Sequence, residues 1–467
     1  MDSQSLSSAR RAWAAPPAEK RKWKGMSMNG TRFEYAVAKG WLRDLASEPT
    51  PHDPWPCIRW DDQLVADQMR FMDVQADLGI TYNRPWGLFV AHAWPVPLES
   101  VVDRQREEQI VTLIAAAHSR GLKVLAGVGV YSWGFDEVIA ACPEVSGGDR
   151  RNMCGSRPAA WDWQRRVLDF HLDPRWGFDG ISMQSADQGR CRCSECAKLP
   201  PAHYHANLLV RCAEYVRAQR PGWVIGQAAW GMRLDDPTEF SQVQRIAAAV
   251  DYMVEVNEIS AASGRRQEII SGLQCAFGSV GGVFAEPPQH WDRLRWFVPC
   301  GLASADAIAR LWKDGGRACE YHYRPFANPA EEVSWRVGAR VLSSPTTPAR
   351  AALAEALQSV YGVTGDACSA LVDWYARAED AYFSRSQFEI GSGPLHLEPL
   401  VWETDPAVPG PPIYLQDLLS VDDLKAYAKD LRGLKADLAV LDIPNHDAAR
   451  RTEAAIDGAL GDLAQII

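Results

Sequence analysis

The chain has 467 residues, 47% of them hydrophobic and 23% charged, a globular composition with apolar material for a large core. Lys and Arg number 49 against 59 Asp and Glu, and the net charge of -10 argues against nucleic acid or an anionic membrane surface as a partner. Eleven cysteines, an odd and mostly scattered set, fit a reduced protein better than a disulfide scaffold.

In chain order, residues 1–20 are rich in Ser, Ala, Pro and Lys and read as a poorly ordered tail. They lack the apolar core of a signal peptide, and no later run is long enough to span a bilayer, so the expected location is cytoplasmic. Residues 24–29 (KGMSMN) read as a first strand and 49–56 as a Pro-rich loop. Residues 61–78 have helical spacing, and ITYNRPWGLFV supplies a strand with its loop. A charged amphipathic helix over 98–120 ends at Gly121, and 123–130 is a buried strand. Helix 158–172 precedes an apolar strand over 178–183. Helix 204–219 precedes strand 223–227, and helix 237–250 precedes strand 252–256. The seventh strand falls at 281–284 or at 295–298; helix 303–313 and a strand with its loop over 318–325 complete the series.

Strand, loop and helix thus recur at roughly forty-residue spacing, the signature of βα units in a parallel sheet. Eight units predict an α/β fold, a (β/α)8 TIM barrel over residues 21–345. A doubly wound open sheet is the alternative, and it would carry a Gly-rich phosphate turn after an early strand, which this sequence lacks. After Tyr361 the pattern is helical only (366–381, 421–441 and 448–466), which predicts a C-terminal α-helical domain over 346–467. Such a domain is a common place for homodimer contacts.

The candidate chemistry gathers at predicted strand ends. Asp187 follows the fourth strand in GISMQSADQG, and Glu255, Asn257 and Glu258 end the sixth in VEVNEIS. Two carboxylates facing each other across a barrel mouth are what glycoside hydrolysis requires: one protonates the leaving oxygen, the other attacks carbon or activates water. Glu286 and Glu320 are further acids of this kind, and Glu137 can equally cap its helix. Trp86, Trp94, Trp133 and Trp230 stand beside polar residues in loops, where flat apolar faces can stack on sugar rings or simply pack. Arg84 is placed either to clamp a sugar carboxylate or to serve a structural ion pair. Cys191, Cys193 and Cys196 form C-x-C-x-x-C, with Cys154 the natural fourth ligand of a structural zinc and Cys142 or His203 behind it. Packed free thiols are the other reading of that cluster.

Residues 143–196, running PEV, RRNMCGSRP and FDGISMQSADQGRCRCSEC, resemble the α-glucuronidase-like glycosidases, which carry C-x-C-x-x-C after strand four. A second stretch, EYHYRPFANPAEEVSWRVGARVLSSPTTP, is similar to the last strand and following helices of those barrels. By the resemblance, Asp187 stands where the family has its strand-four acid, although SADQG replaces the usual Pro-Asn-Asp-Gly-like turn.

These readings combine into a glycoside hydrolase with a carbohydrate substrate and no catalytic cofactor. Asp187 would be the general acid and Glu258 or Glu255 the base or nucleophile. Arg84, Gln184, Asn257, Glu286 and His322 would bind the sugar beside a stacking wall of Trp86, Tyr131, Trp133 and Trp230. The alternatives are a carbohydrate-binding protein, or a lyase or isomerase acting on sugar acids, on the same barrel.

Overall fold

A computed structural model describes residues 31–41, 61–89, 94–132, 134–185, 189–229, 232–255, 259–280, 297–323, 329–384 and 421–467. Eight parallel strands close into a barrel in sequential order: β1 Tyr35–Trp41, β2 Tyr82–Trp86, β3 Lys123–Gly129, β4 Gly180–Gln184, β5 Val224–Ala228, β6 Tyr252–Glu255, β7 Ala276–Val280 and β8 Ala318–Tyr323. Closure runs through β1 and β8, with Val37 opposite Glu320 and Lys39 opposite His322.

Each strand is short and buried on both faces, so it reads as a compact apolar run flanked by helices. Val37, Tyr82, Leu125, Ala228, Tyr252, Val254, Ala276 and Ala318 pack with one another and fill the lumen. Their alternates, among them Val124, Ile181, Ile225, Met253 and Phe277, pack with residues of the surrounding helices. The outward residues of β1 and β8, Ala36, Ala38, Cys319 and Tyr321, pack instead with the C-terminal helices, as the period of two places them on the face away from the lumen.

The helices begin where their sequences permit. Asp61 and Asp103 cap Asp62–Asp77 and Arg104–Ser119 by accepting from Leu64 and Arg106 backbone N–H groups, each at 2.8 Å. Pro opens Pro158–Leu172, Pro201–Gln219 and Pro237–Ala247, where its missing N–H costs nothing.

Two strands differ from the expectation. The barrel's first strand is Tyr35–Trp41, and residues 24–29 lie outside the described residues. The seventh is Ala276–Val280, which pairs with both β6 and β8. It precedes residues 281–284, which lie outside the described residues, and Phe297 and Val298 are not in a strand.

Beyond β8, the helices Pro329–Ser343, Ala349–Tyr361, Gly365–Phe383, Val421–Leu438 and His446–Ile466 follow. Their apolar faces join Phe33, Phe71 and Phe297 in one core, and Thr31–Ile467 form one compact unit. Among the described residues, no helix is long and apolar enough to cross a membrane.

Candidate active site and cysteine cluster

The lumen carries a charged layer built around Glu320. Strand alternation turns Glu320 inward from β8, between Ala318 and His322. Its Oε2 lies 3.4 Å from Arg84 Nη1 of β2 and 3.6 Å from Lys39 Nζ of β1. Its Oε1 accepts from Ser182 Oγ of β4 at 2.5 Å and from the Tyr252 hydroxyl of β6 at 2.8 Å. Glu320, Arg84 and Ser182 have no exposed surface. Burial alone would raise the Glu320 carboxyl. Arg84, Lys39 and the two hydrogen bonds outweigh it and hold the group down at about 2. Burial, then the Glu320 charge, push the Tyr252 phenol up, so Tyr252 stays a donor.

Four even-numbered strands thus supply Arg84, Ser182, Tyr252 and Glu320 to one layer, the usual arrangement inside such barrels. Gly226 on β5 makes room: a Cβ there would lie 2.1 Å from the Tyr252 ring. Arg84, expected either as a substrate clamp or as an ion-pair partner, is therefore found beside Glu320.

Two residues further along their strands, Gln184 and His322 are the next inward positions, and both are half-buried. With Val254 they form part of the lumen floor toward the C-terminal rim, where (β/α)8 barrels place chemistry.

Glu255 ends β6 on the Met253 side of the strand, opposite Tyr252. It is fully buried, with Oε2 accepting from Ser260 N at 2.9 Å and Oε1 from Ser260 Oγ at 2.5 Å. This ties the strand end to the short helix Ile259–Ala262. Tyr131 follows β3 with φ 59°, and its N–H donates to Gln164 Oε1 at 2.8 Å. Its ring is buried in the core between the sheet and the helices, not on a wall open to ligand. Trp94 packs against Phe170 and His171, and Glu137 is exposed in the first turn of Asp136–Ala141. Asp187, Asn257, Glu258, Glu286, Trp133 and Trp230 lie outside the described residues, and Trp86 is described only as a strand position.

The sequence expectation did not include Lys39, Ser182 and Tyr252. The signal was present: each is a polar side chain at a lumen-facing position of a strand, two residues from an apolar lumen residue or a glycine.

The cysteine cluster is brought together as its spacing predicted. The sulfurs of Cys154, Cys191, Cys193 and Cys196 all lie within 4.8 Å of one another. Cys154 Sγ is 3.6 Å from both Cys193 Sγ and Cys196 Sγ. A tetrahedral metal with sulfur bonds of about 2.3 Å needs sulfurs about 3.8 Å apart, so this donor set fits one metal ion. The Cys196 N–H, and that of Glu195, hold the Cys193 thiol down at about 6 against its burial. Burial pushes Cys196 up to about 11 and Cys191 further.

No family model matches the sequence, and no curated protein matches it. Among solved structures the fold is similar to that of a GH138 enzyme targeting pectin rhamnogalacturonan II, with a TM-score of 0.57 and 11% identity. That likeness covers 93% of this chain and 57% of the other, so this chain spans little more than half of that protein's length. An O-GlcNAc hydrolase mutant of Thermobaculum terrenum matches with a TM-score of 0.48 at 12% identity, over 90% of this chain and 80% of that one. A beta-N-acetylhexosaminidase matches with a TM-score of 0.48 at 12% identity, over 78% and 80%. At such identities the likeness is one of fold.

Proposed function

We propose that this chain is a glycoside hydrolase that cleaves a glycosidic bond in an oligosaccharide, polysaccharide or glycoconjugate with a carboxylate pair. The observation that carries this reading is where two strands stop. β4 ends at Gln184 and β6 at Glu255, and Asp187 and Glu258 each follow three residues later in the chain. Acids just past strand ends belong to the loops of the C-terminal rim, where this fold does its chemistry. The fold likeness to a GH138 enzyme is consistent with it.

In this reading Asp187 is the general acid that protonates the leaving oxygen, and Glu258 is the base or nucleophile. Glu255 is the less suited partner, because Ser260 engages both of its oxygens. Gln184 and His322 bind sugar hydroxyls from the lumen floor, joined by Asn257 and Glu286, with Trp86, Trp133 and Trp230 stacking on the rings. The cysteine group enters as a structural metal site and takes no part in the hydrolytic step.

The test is turnover on a panel of aryl glycosides and natural oligosaccharides, with the products analysed. A new reducing end supports hydrolysis. A product with an unsaturated ring or a rearranged carbonyl, or binding without turnover, overturns it.

A further inference from the structure

We propose that Cys154, Cys191, Cys193 and Cys196 hold one structural Zn2+ that staples the loop after β3 to the loop after β4. The proposal is independent of the hydrolase reading, because every part of it concerns the two loops.

The Cys154 loop is laced to the chain leaving β3. Asn152 forms an isolated bridge with Ser132, Met153 N–H donates to Tyr131 O at 2.8 Å, and Cys154 N–H donates to Val145 O at 2.8 Å. The other three cysteines belong to the chain leaving β4, folded on itself by Ala197 N–H to Cys193 O at 2.9 Å and Leu199 N–H to Cys196 O at 3.2 Å. Arg190 Nη1 closes that loop on Leu199 O at 2.6 Å. The sulfurs are where the two loops converge.

Three features fit a metal better than packed thiols. All four sulfurs are mutually close, whereas thiols that merely pack have no reason to share one point. The Cys193 N–H points at the Cys191 sulfur, and the N–H groups of Glu195 and Cys196 point at the Cys193 sulfur. Donors so aimed stabilise thiolate ligands. Finally, Gly147 backs the cluster so closely that a Cβ would lie 2.7 Å from Cys191 Sγ and 2.8 Å from Cys193 Cβ. The chain therefore wraps the sulfurs with backbone alone on that side.

Binding releases the protons that the thiols still carry and leaves two net negative charges spread over the four thiolate sulfurs, facing those N–H groups. Four sulfur ligands close the shell, so the ion has no open position for substrate and acts by fixing the loops.

The full chain, purified without chelator from zinc-supplemented medium, is expected to contain about one zinc. After release with an organomercurial and addition of Co2+, a thiolate-to-cobalt charge-transfer band is expected. Cys193→Ser should weaken zinc retention at least tenfold in a chelator competition, while Cys212→Ser, a buried thiol on another helix, should not. Zinc release should open residues 146–199 to protease before the remainder of the barrel. If Cys193→Ser does not fold, the zinc content and cobalt spectrum of the wild-type chain decide. Protein with no zinc, protein with iron in its place, or four thiols that react freely in the native chain overturns the proposal.

Discussion

Ser182 and Glu320 face each other across the barrel, on β4 and β8, and the Ser182 hydroxyl donates to Glu320 Oε1 at 2.5 Å. With Tyr252 on the same oxygen and Arg84 and Lys39 on the other, one carboxylate links five strands. Glu320→Gln leaves two cations without their buried counter-charge, and a buried pair broken on one side typically costs about 3–5 kcal/mol. Urea denaturation should show a loss of that order.

The same carboxyl sets a pH dependence. Its folded pKa of about 2 lies below the usual 4.5, so its stabilisation is fully present above pH 4.5. It declines as the pH falls toward 2 and is lost below that. Glu320→Gln should therefore flatten this part of the acid-denaturation curve, and a curve of unchanged slope would show that Glu320 does not titrate there.

Glu379 carries the opposite sign. It reaches from the helix Gly365–Phe383 to the start of Gly301–Lys313, accepting from Leu302 N at 3.0 Å and Ala303 N at 2.6 Å. Burial raises its carboxyl to about 7, although both N–H groups pull it down. The folded chain thus binds a proton more readily than the unfolded chain between pH 4.5 and 7, so this group's contribution to stability falls as pH rises through that window. Relative to Glu379→Gln, the wild type should gain stability as the pH is lowered from 8 to 5. Thermal melts of both proteins across that range check it.

Much of the barrel could be read from the sequence, because each βα unit repeats a short apolar run and then a helical period. Helix 158–172 was legible to the residue, since Pro158 opens it and Asp173 follows Leu172. β7 was missed for a physical reason: AFGSV is only five residues long, holds a glycine and a serine, and is followed by two further short candidate runs, GGVF and RWFV. β1 was missed because Lys39 looks like a surface residue until Glu320 is seen opposite its neighbourhood. Pairing among residues 39, 84 and 320 cannot be deduced from local pattern, since closure of the sheet alone brings them together. The cysteine cluster was legible because three of its members share one short motif. Asp187 and Glu258 are placed by the sequence only as positions after strands, and both lie outside the described residues.

Gly226 tests the lumen layer without touching a charge. An alanine Cβ would lie 2.1 Å from Tyr252 Cζ and 2.3 Å from its hydroxyl, so the ring must move away from Glu320. Overpacking of this kind costs about 1–3 kcal/mol. Gly222, where a Cβ meets nothing within 4 Å, is the control: Gly222→Ala should leave the denaturation midpoint nearly unchanged.

The last prediction separates the two acids that follow Val254. Glu255 is buried with both oxygens held by Ser260, which is what a structural anchor needs. A glutamine there keeps one acceptor but turns an NH2 toward a former donor, and leaving a buried donor unsatisfied costs about 1–3 kcal/mol. Glu255→Gln should therefore lower the melting temperature while each folded molecule keeps most of its turnover. Glu258→Gln should do the reverse, with a normal melt and a loss in kcat on the order of 10²–10⁴-fold. Asp187→Asn belongs beside them as the variant of the proposed general acid. It should lose most on natural sugar leaving groups and least on activated aryl glycosides, whose departure needs no proton. If Glu255→Gln instead abolishes turnover at full stability, Glu255 is the partner of Asp187 and Glu258 the bystander.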